Sequence, residues 1–426
     1  MEQKTVSQVS SSEKQKRKGP VLRIFTIFFH PNSVVTAMGG AEKRFVETLK
    51  FFNKKGNLEI TVLESAPSLL ADASIVCKTC SLRSSLHGKG WLSTYVSWIL
   101  WIARASVKSL SLAHVARPSV VFVPNNTLPN LISGYTASRI LGLPLCVVTH
   151  HIDVPPLRVS GLKNHSIYGC YRSIEYSRPV SLVKTLAFYT MLSLLKKSNT
   201  IITVSNFTAE ALKQNGVSKT KIHVSGNAID ANLAQNINSQ TSKKTYHAIF
   251  VGRIAKEKGV FDLLKVWKEI AKVRKDAKLL LVGSGLELPC VKEKIATSGL
   301  ENNVLLRGSC SDKELHNLLN SSRIFIFPSL FEGWGLAVAE ALACGLPVVA
   351  YDIPALKEVF GNCKSVFLVP VKNFESMTST VLDILDAGEE ELHELSYCSK
   401  TFSRQFNWEN VAEKDLEIIR TFENTQ

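Results

Sequence analysis

The sequence has no long hydrophobic run. A helix needs roughly twenty consecutive apolar residues to cross a bilayer, and the best candidate, residues 91–105, is shorter and contains serine, threonine and arginine. The first twenty residues are polar and basic, unlike a secretory signal. The nine cysteines are odd in number and scattered, which does not fit a disulfide framework. We therefore expect a cytoplasmic protein with reduced thiols.

Signatures of metal and phosphate sites are missing too. The chain has no Asp-x-Asp pair for a divalent ion and no Gly-x-x-x-x-Gly-Lys-Ser/Thr phosphate loop. Cys77 and Cys80 form a CxxC pair, but a zinc site needs four ligands, and no second pair or nearby histidine accompanies them. Gly283 and Gly285 lack the third glycine of a dinucleotide fingerprint. The sequence thus predicts no metal and no cofactor.

What the chain does have is an excess of positive charge. Its 51 Lys and Arg residues against 36 Asp and Glu residues give a net charge of +15. Such a charge suits nucleic acid, an anionic lipid surface or a substrate that carries phosphate. Residues 1–19 are polar and basic without apolar periodicity, so we expect a disordered tail. That tail is either simply solvated or a weak tether to an anionic surface.

Strand and helix patterns alternate along the rest of the chain. Two βαβα series, at residues 20–235 and 245–405, are separated by a polar stretch at 236–244, and a last helix follows within 406–426. This alternation is typical of doubly wound α/β domains with parallel sheets. The sequence therefore predicts two such domains, a linker between them and a terminal helix.

The stretch Phe327–Ala350 contains one complete βαβ unit with two acidic residues. An apolar strand ends at Pro328, glycines make a turn, and the Ala- and Leu-rich helix stops at Gly345. Glu332 lies in the turn, and Glu340 lies about one turn into the helix. The amino end of a helix favours oxygen-rich or anionic ligands, so the two carboxylates are candidates for contacts with sugar hydroxyls. The alternative is a pair of solvated glutamates.

A basic, glycine-flanked turn follows the first strand of the second domain. It contains Arg253 and Lys258 between Gly252 and Gly259. Arginine offers a fixed fork of donors that suits phosphate, and lysine adds a point charge. The turn is thus a candidate diphosphate site, or else a solvated basic loop.

Two further candidates lie in the first domain. Gly39 and Gly40 open the helix after the first strand, where a glycine pair lets the backbone approach a ligand. His150 and His151 directly follow the strand at residues 145–149, and ligands bind open α/β sheets at the carboxyl ends of strands. A histidine there can donate to a sugar hydroxyl or a phosphate, or it can be an ordinary surface or core residue.

Taken together, these motifs resemble retaining GT-B glycosyltransferases, closest to glycosyltransferase family 4. That family has Pro-Ser-x-x-Glu-Gly-Phe-Gly-Leu, then Glu-Ala-x-Ala-x-Gly-x-Pro-Val-Val, and also Gly-Arg-x-x-x-x-Lys-Gly. This chain departs from it at Trp334, where Phe is usual, and at Ile152, where Asp usually follows the cleft histidine. The resemblance covers roughly residues 20–420. It implies two Rossmann-like domains that face a cleft, with the terminal helix crossing back to the first domain.

The resemblance also implies roles for individual residues. Glu332 would contact the donor sugar, Glu340 the ribose, and His151 the sugar or its leaving oxygen. Arg253 and Lys258 would hold the diphosphate. At the remaining donor-site positions the main chain would approach the donor. These are Gly39, Gly40, Gly252, Gly283, Gly285, Gly333, Gly335, Leu336 and Ala337.

The implied reaction moves a hexose-type sugar from a UDP- or GDP-linked donor to a hydroxyl acceptor with retention and without a metal. The acceptor would be lipid-linked or a saccharide, because residues 91–105, with Trp91, Trp98 and Trp101, suit a helix on an anionic membrane surface. Alternatively, that helix is buried on the first sheet. The alternative functions are a sugar-nucleotide epimerase or a phosphorylase on the same scaffold, or a non-catalytic basic protein that binds anionic lipid or nucleic acid. We expect no nucleic-acid partner.

Overall fold

The computed structural model describes residues 21–30, 38–55, 57–65, 70, 75, 77–82, 91–152, 166–230 and 244–423. For 91–95 and 113–116 the description covers the backbone alone. The predicted tail at 1–19 and nearly all of the predicted linker at 236–244 lie outside these residues.

The first domain contains a seven-stranded parallel sheet with the strand order β3-β2-β1-β4-β5-β6-β7. Its strands are β1 (Leu22–Phe28), β2 (Leu58–Glu64), β3 (Lys78–Ser81), β4 (Val120–Val123), β5 (Leu145–Thr149), β6 (Thr200–Thr203) and β7 (Ile222–Val224). The central strands are buried on both faces, which explains why they appear in the sequence as continuous apolar runs.

Helices cover both faces of this sheet. They are α1 (Gly40–Lys54), α2 (Trp91–Ala116), α3 (Leu128–Leu141), α4 (Ile167–Ser173), α5 (Arg178–Lys197) and α6 (Asn206–Gln214). On one face, side chains of α2, α3 and α5 share a core with Phe25, Ile27 and Val147. On the other face, α1 supplies Phe45, Leu49 and Phe52.

The second domain contains a six-stranded parallel sheet with the order β10-β9-β8-β11-β12-β13. Its strands are β8 (Tyr246–Val251), β9 (Leu279–Val282), β10 (Val304–Gly308), β11 (Ser322–Phe327), β12 (Val348–Tyr351) and β13 (Val366–Val369). Its helices are α7 (Val260–Val273), α8 (Leu288–Thr297), α9 (Asp312–Asn320), α10 (Leu336–Ala343), α11 (Pro354–Phe360), α12 (Phe374–Asp386) and α13 (Glu389–Ser403).

The last helix, α14 (Trp408–Arg420), packs against the first domain. Ala412, Leu416 and Ile419 join the core beneath α1. Arg44 of α1 donates to both carboxylate oxygens of Asp415, at 2.7 and 2.9 Å, and both side chains are buried. The predicted architecture of two Rossmann-like domains with a returning terminal helix is therefore confirmed.

Residues 154–180 are basic and contain several aromatics, and their sequence predicts a long insertion-like loop. That prediction is wrong where the structure describes these residues. Residues 153–165 lie outside the description, but α4 and the start of α5 follow. Local signals explain both helices. The Ser166 hydroxyl caps the amide of Gly169, and Pro179 occupies the first turn of α5, where proline's missing N–H costs nothing.

Candidate active site

The turn between β11 and α10 lies at the carboxyl end of the second sheet. Gly335 has φ +103°, a conformation that side-chain-bearing residues rarely adopt, and it is the N-cap residue that precedes α10. Glu332 in this turn is 12% exposed and accepts a hydrogen bond from Lys258 Nζ at 2.5 Å. The predicted sugar-binding carboxylate and the predicted phosphate-binding lysine are thus brought into direct contact.

The Arg253–Gly259 loop packs against the same turn. A Cβ at Gly259, whose φ is +69°, would lie 1.9 Å from the carbonyl oxygen of Pro328. Glycine is therefore required here for the two loops to meet.

Arg253 is 65% exposed and pairs with Glu257 at 3.2 Å. Glu257 also accepts a 2.6 Å hydrogen bond from the Tyr176 hydroxyl of the first domain. Burial alone would raise the pKa of Glu257, but Arg253, the Tyr176 hydroxyl and Lys184 together hold that pKa below its ordinary value. Glu257 is thus an anion that links Arg253 to the opposite domain.

Glu340 contacts the first domain through Lys43. Lys43 Nζ lies 2.6 Å from Glu340 and 3.1 Å from Asp312 at the start of α9. Burial alone would lower the pKa of Lys43, yet the two carboxylates raise it above its ordinary value. Lys43 therefore stays charged and joins the two domains across the cleft.

His316 lies on α9 one turn after Asp312, near this ion cluster. Its Nε2 atom is buried and has no hydrogen-bond partner. Burial, with a contribution from Lys43, lowers the pKa of His316. Its neutral ring thus leaves one unused polar atom beside Glu340.

The two histidines after β5 have different environments. His150 Nε2 lies 3.0 Å from the carbonyl oxygen of Pro124, and burial lowers the pKa of His150 to about 3. His150 is thus a neutral structural residue. His151 is half-buried, and its carbonyl accepts from Asn126 Nδ2 at 2.9 Å.

Gly333 brings the turn of the second domain onto these histidines. A Cβ at Gly333 would lie 1.7 Å from the carbonyl oxygen of His150 and 2.9 Å from His151 Cβ. The main chain after β5 therefore abuts the residue that follows Glu332.

The amino ends of α1 and α10 meet across the cleft. A Cβ at Gly40, the first residue of α1, would lie 2.5 Å from Leu336 Cδ1, in the first residue of α10. Free N–H groups and the positive dipole ends of both helices are thus directed toward one region. Gly39 caps α1 in an extended conformation.

Gly283 and Gly285 have a packing explanation. Added Cβ atoms would lie 1.9 Å from the Gly252 carbonyl oxygen and 2.2 Å from the Ile254 carbonyl oxygen, respectively. These glycines let the chain after β9 lie against the Arg253 loop. The family resemblance places such a Gly-x-Gly beside the base or ribose of the donor nucleotide, and this placement stays a prediction.

The described part of the cleft contains a small cavity. Beside Glu332 a space of about 10 Å³ lies between Ile152 and Phe207 of the first domain and Leu330 and Phe331 of the second. A cavity of about 350 Å³ lies instead at the amino ends of β5 and β6, lined by Tyr135, Arg139, Lys197 and Phe422, among others. This cavity is at the opposite edge of the sheet from the charged groups, so it is not the site.

Several residues of this arrangement carry no motif. The predicted site residues do not include Lys43, Asp312 and His316 on one side of the cleft, or Tyr176 and Glu257 on the other.

Within the described residues no cluster of three or more His, Cys, Asp or Glu side chains could hold a metal ion. Among those same residues, no helix is both long and apolar enough to span a membrane.

Comparisons with known proteins agree with the fold and the motifs. The model of the family described as Glycosyltransferase Family 4 matches residues 38–233, and that described as Glycosyl transferases group 1 matches residues 234–401. A 2-deoxystreptamine glucosyltransferase of Streptomyces kanamyceticus is 24% identical over 328 residues, 73% of this chain and 80% of the relative. An uncharacterised glycosyltransferase of Haemophilus influenzae is 32% identical over 183 residues, 43% of this chain and 50% of the relative.

With several of its curated relatives, this chain aligns over about half of their length, 46–50%. Several solved structures match over nearly the whole chain. Anabaena HepE, crystallised with UDP and glucose, superposes with a TM-score of 0.66 at 18% identity, covering 93% of this chain and 99% of HepE. At 18% identity, this structural similarity shows that the two proteins share a fold.

The two family matches, one per domain, together with this fold, identify the chain as a glycosyltransferase of the GT-B type.

Proposed function

We propose that this protein transfers a hexose-type sugar from a UDP- or GDP-linked donor to a hydroxyl acceptor with retention of anomeric configuration. The observation that carries the proposal is the meeting of two helix amino ends, α1 and α10, next to the turn in which Glu332 binds Lys258 of the Arg253–Gly259 loop. Fixed positive groups of this kind favour an anionic ligand such as a diphosphate.

Arg253 and Lys258 would neutralise the diphosphate as it leaves. Negative charge develops on the bridging oxygen when the sugar bond breaks, and preorganised donors lower the barrier for that step. Arg253 is exposed enough to reach a ligand, while Lys258 is held by Glu332. With these cations and two helix ends in place, the proposed reaction needs no metal.

Glu332 would orient the transferred sugar, and Glu340 the ribose. Each carboxylate is mostly buried and already bonded to a lysine on one oxygen, which leaves acceptor capacity for sugar hydroxyls. His151 would face the sugar or its leaving oxygen. In the proposed front-face reaction the leaving phosphate oxygen takes the proton of the acceptor hydroxyl as that hydroxyl attacks the anomeric carbon.

Relatives favour UDP-linked donors as the first to test. HepE was crystallised with UDP and glucose and with UDP-glucose, and the Streptomyces relative is named a glucosyltransferase. We propose a hexose donor of that class and an acceptor that is a saccharide or is linked to a lipid.

Calorimetric titration tests the donor site. UDP, GDP and ADP, then their sugar forms, are titrated with EDTA present. We expect micromolar binding of one nucleotide, lost in Arg253→Ala and kept in Arg404→Ala, an exposed arginine at the end of α13. NMR of the product would then give its anomeric configuration, which should match that of the donor.

Absence of any nucleotide binding would overturn the proposal. In that case the non-catalytic alternative, a basic protein that binds lipid or nucleic acid, would take its place. A product with inverted anomeric configuration would be consistent with a glycosyltransferase but would contradict the retaining mechanism.

A further inference from the structure

Helix α2 is only partly buried on the first domain. Trp101 and Ala105 lie in the core of the sheet, and Trp98 packs against that core. The tryptophans that suggested a membrane-surface helix are thus largely used for folding, apart from Trp91, whose side chain lies outside the description. The opposite side of the helix presents an apolar stripe of Val96, Ile99, Leu100, Ala103, Val107 and Leu110.

The stripe on α2 is strongly exposed. Ile99 is 66% exposed and Val107 is 70% exposed. Its members recur at three- and four-residue intervals, so they share one face of the helix. A stripe of this kind is unusual on a surface that contacts only water.

Helix α5 has the same construction. Phe188, Leu192 and Leu195 are buried in the same core, while Leu182, Leu186 and Tyr189 are more than half exposed. The exposed residues follow one another at intervals of four and three, so they too form a continuous stripe.

Both stripes belong to one helical layer. α2 and α5 each pack against α3, and all three helices share the core on one face of the first sheet. At the end of α3, Ile140 is also exposed. We call the outer side of α2, α3 and α5 the basic apolar face.

The charges on this face have one sign. No Asp or Glu occurs in α2, α3 or α5, and residues 73–152 contain none at all. The cations of the three helices are Arg104, Lys108, Arg139, Arg178, Lys184, Lys196 and Lys197. Helices of the second domain differ, since α13 begins with Glu389, Glu390 and Glu391.

Exposed aliphatic side chains flanked only by cations fit an anionic lipid bilayer. The apolar stripes would enter the headgroup region, and lysine and arginine would contact anionic lipids. A second copy of the chain fits poorly, because two such faces would bring like charges together. Nucleic acid also fits poorly, because its phosphates would bind the cations but would not bury the exposed Leu, Ile and Val side chains.

We propose that the basic apolar face docks this protein on an anionic lipid bilayer. Tyr176, just before α5, donates to Glu257, which holds Arg253, so the edge of this face adjoins the cleft. Docking would therefore present the cleft to an acceptor anchored at the membrane surface. That last step rests on the proposed function, whereas docking itself does not.

Vesicle flotation of the full chain tests the docking. Vesicles of phosphatidylcholine alone are compared with vesicles that contain phosphatidylglycerol. We expect flotation with the anionic vesicles only, and weaker flotation at high salt because exposed charges are screened. The double variant Ile99→Glu with Leu186→Glu should reduce the bound fraction at least tenfold.

A matched control replaces exposed hydrophobic residues outside the face. Leu286, which is 92% exposed, and Tyr397 lie in the second domain, so Leu286→Glu with Tyr397→Glu should float like the wild type. Circular dichroism and thermal melting would verify that both double variants fold. A milder variant, Lys108→Gln with Lys196→Gln, should lower flotation without touching the apolar stripes.

Several results would overturn the docking proposal. These are no flotation of the wild type, equal binding to neutral vesicles, or a stripe variant that floats like the control. If the wild type forms a dimer that the Ile99→Glu, Leu186→Glu variant does not form, the face would bind a second copy of the chain instead. If the wild type binds RNA but does not float with vesicles, the face would bind RNA instead. Flotation with no nucleotide binding would remove the proposed function and leave the docking intact.

Discussion

A single glycine sets how closely the two domains approach. Replacing Gly333 by alanine would place a methyl group 1.7 Å from the His150 carbonyl oxygen. Both sides of this contact are main chain, which cannot shift without a large energetic cost. We expect Gly333→Ala to lower the transfer rate at least tenfold while the melting temperature changes little.

The matched control is Gly388→Ala, since nothing lies within 4 Å of a Cβ at that position. It should transfer sugar at the wild-type rate. A Gly333→Ala enzyme with unchanged rate would show that the contact between Gly333 and His150 has no part in catalysis.

Glu64 makes stability depend on pH. Its carboxylate ends β2, one oxygen is buried without a partner, and burial raises the pKa of Glu64 from 4.5 to about 7. The folded state thus holds a proton that the unfolded chain has already released, so the free energy of unfolding falls as pH rises from about 4.5 through 7.

Glu64→Gln removes this ionisation. We expect the variant to match the wild type at pH 4.5 and to exceed it by up to about 3 kcal/mol at pH 8. Urea unfolding at the two pH values measures the difference. A constant difference across this range would contradict the assignment.

Individual site residues were predictable only where they lie in a motif. Glu332, Glu340, Arg253 and Lys258 are each marked by neighbouring glycines or a helix start. Lys43 has no such marker, because its partner Glu340 is 297 positions away and a lysine that crosses a cleft resembles any surface lysine in sequence.

Among the elements, boundaries were predictable where glycine and proline mark them. Strand β11, the turn and α10 lie within a residue or two of the predicted limits, since Pro328, Gly335 and Gly345 stop or start each element. Helix α4 has only seven residues, which is too short for a helical period to be recognised in the sequence, so the sequence predicts a loop there.

The loop after β8 is stabilised by the segment between α4 and α5. Tyr176 donates to Glu257, and Glu257 pairs with Arg253. Tyr176→Phe removes one hydrogen bond to a charged group, worth about 1.5–3 kcal/mol in general, but leaves the carboxylate in place. We expect a nucleoside diphosphate to bind about fivefold more weakly, with little change for the nucleoside monophosphate.

Calorimetry of Tyr176→Phe would measure both affinities. Tyr189→Phe is the control, because Tyr189 is exposed on α5. Equal losses for the monophosphate and the diphosphate would indicate that Tyr176 supports the fold of the domain rather than the position of Arg253.

At the scale of the whole molecule, Lys43 links the two domains across the cleft. It bonds Glu340 and Asp312 of the second domain from a helix of the first. Removing a largely buried ion partner is costly for the closed form, because it leaves carboxylates without their cation. We expect Lys43→Met, without ligand, to have a larger radius of gyration in small-angle X-ray scattering.

Lys54→Met is a matched control at the exposed end of the same helix and should scatter like the wild type. Identical profiles for the wild type and Lys43→Met would contradict the role of Lys43. The two-domain architecture itself was predictable from the repeated βαβα pattern, whereas the ion pairs that link the two domains are long-range contacts that no local pattern records.

The return of α14 to the first domain affects how the chain is synthesised. A ribosome makes residues 408–420 only after the entire second domain, yet Ala412, Leu416, Ile419 and Asp415 complete the first core. Until then Arg44 lacks the buried carboxylate of Asp415, and the apolar groove beneath α1 stays open to solvent and to chaperones. The domain that is translated first is therefore the last to finish folding.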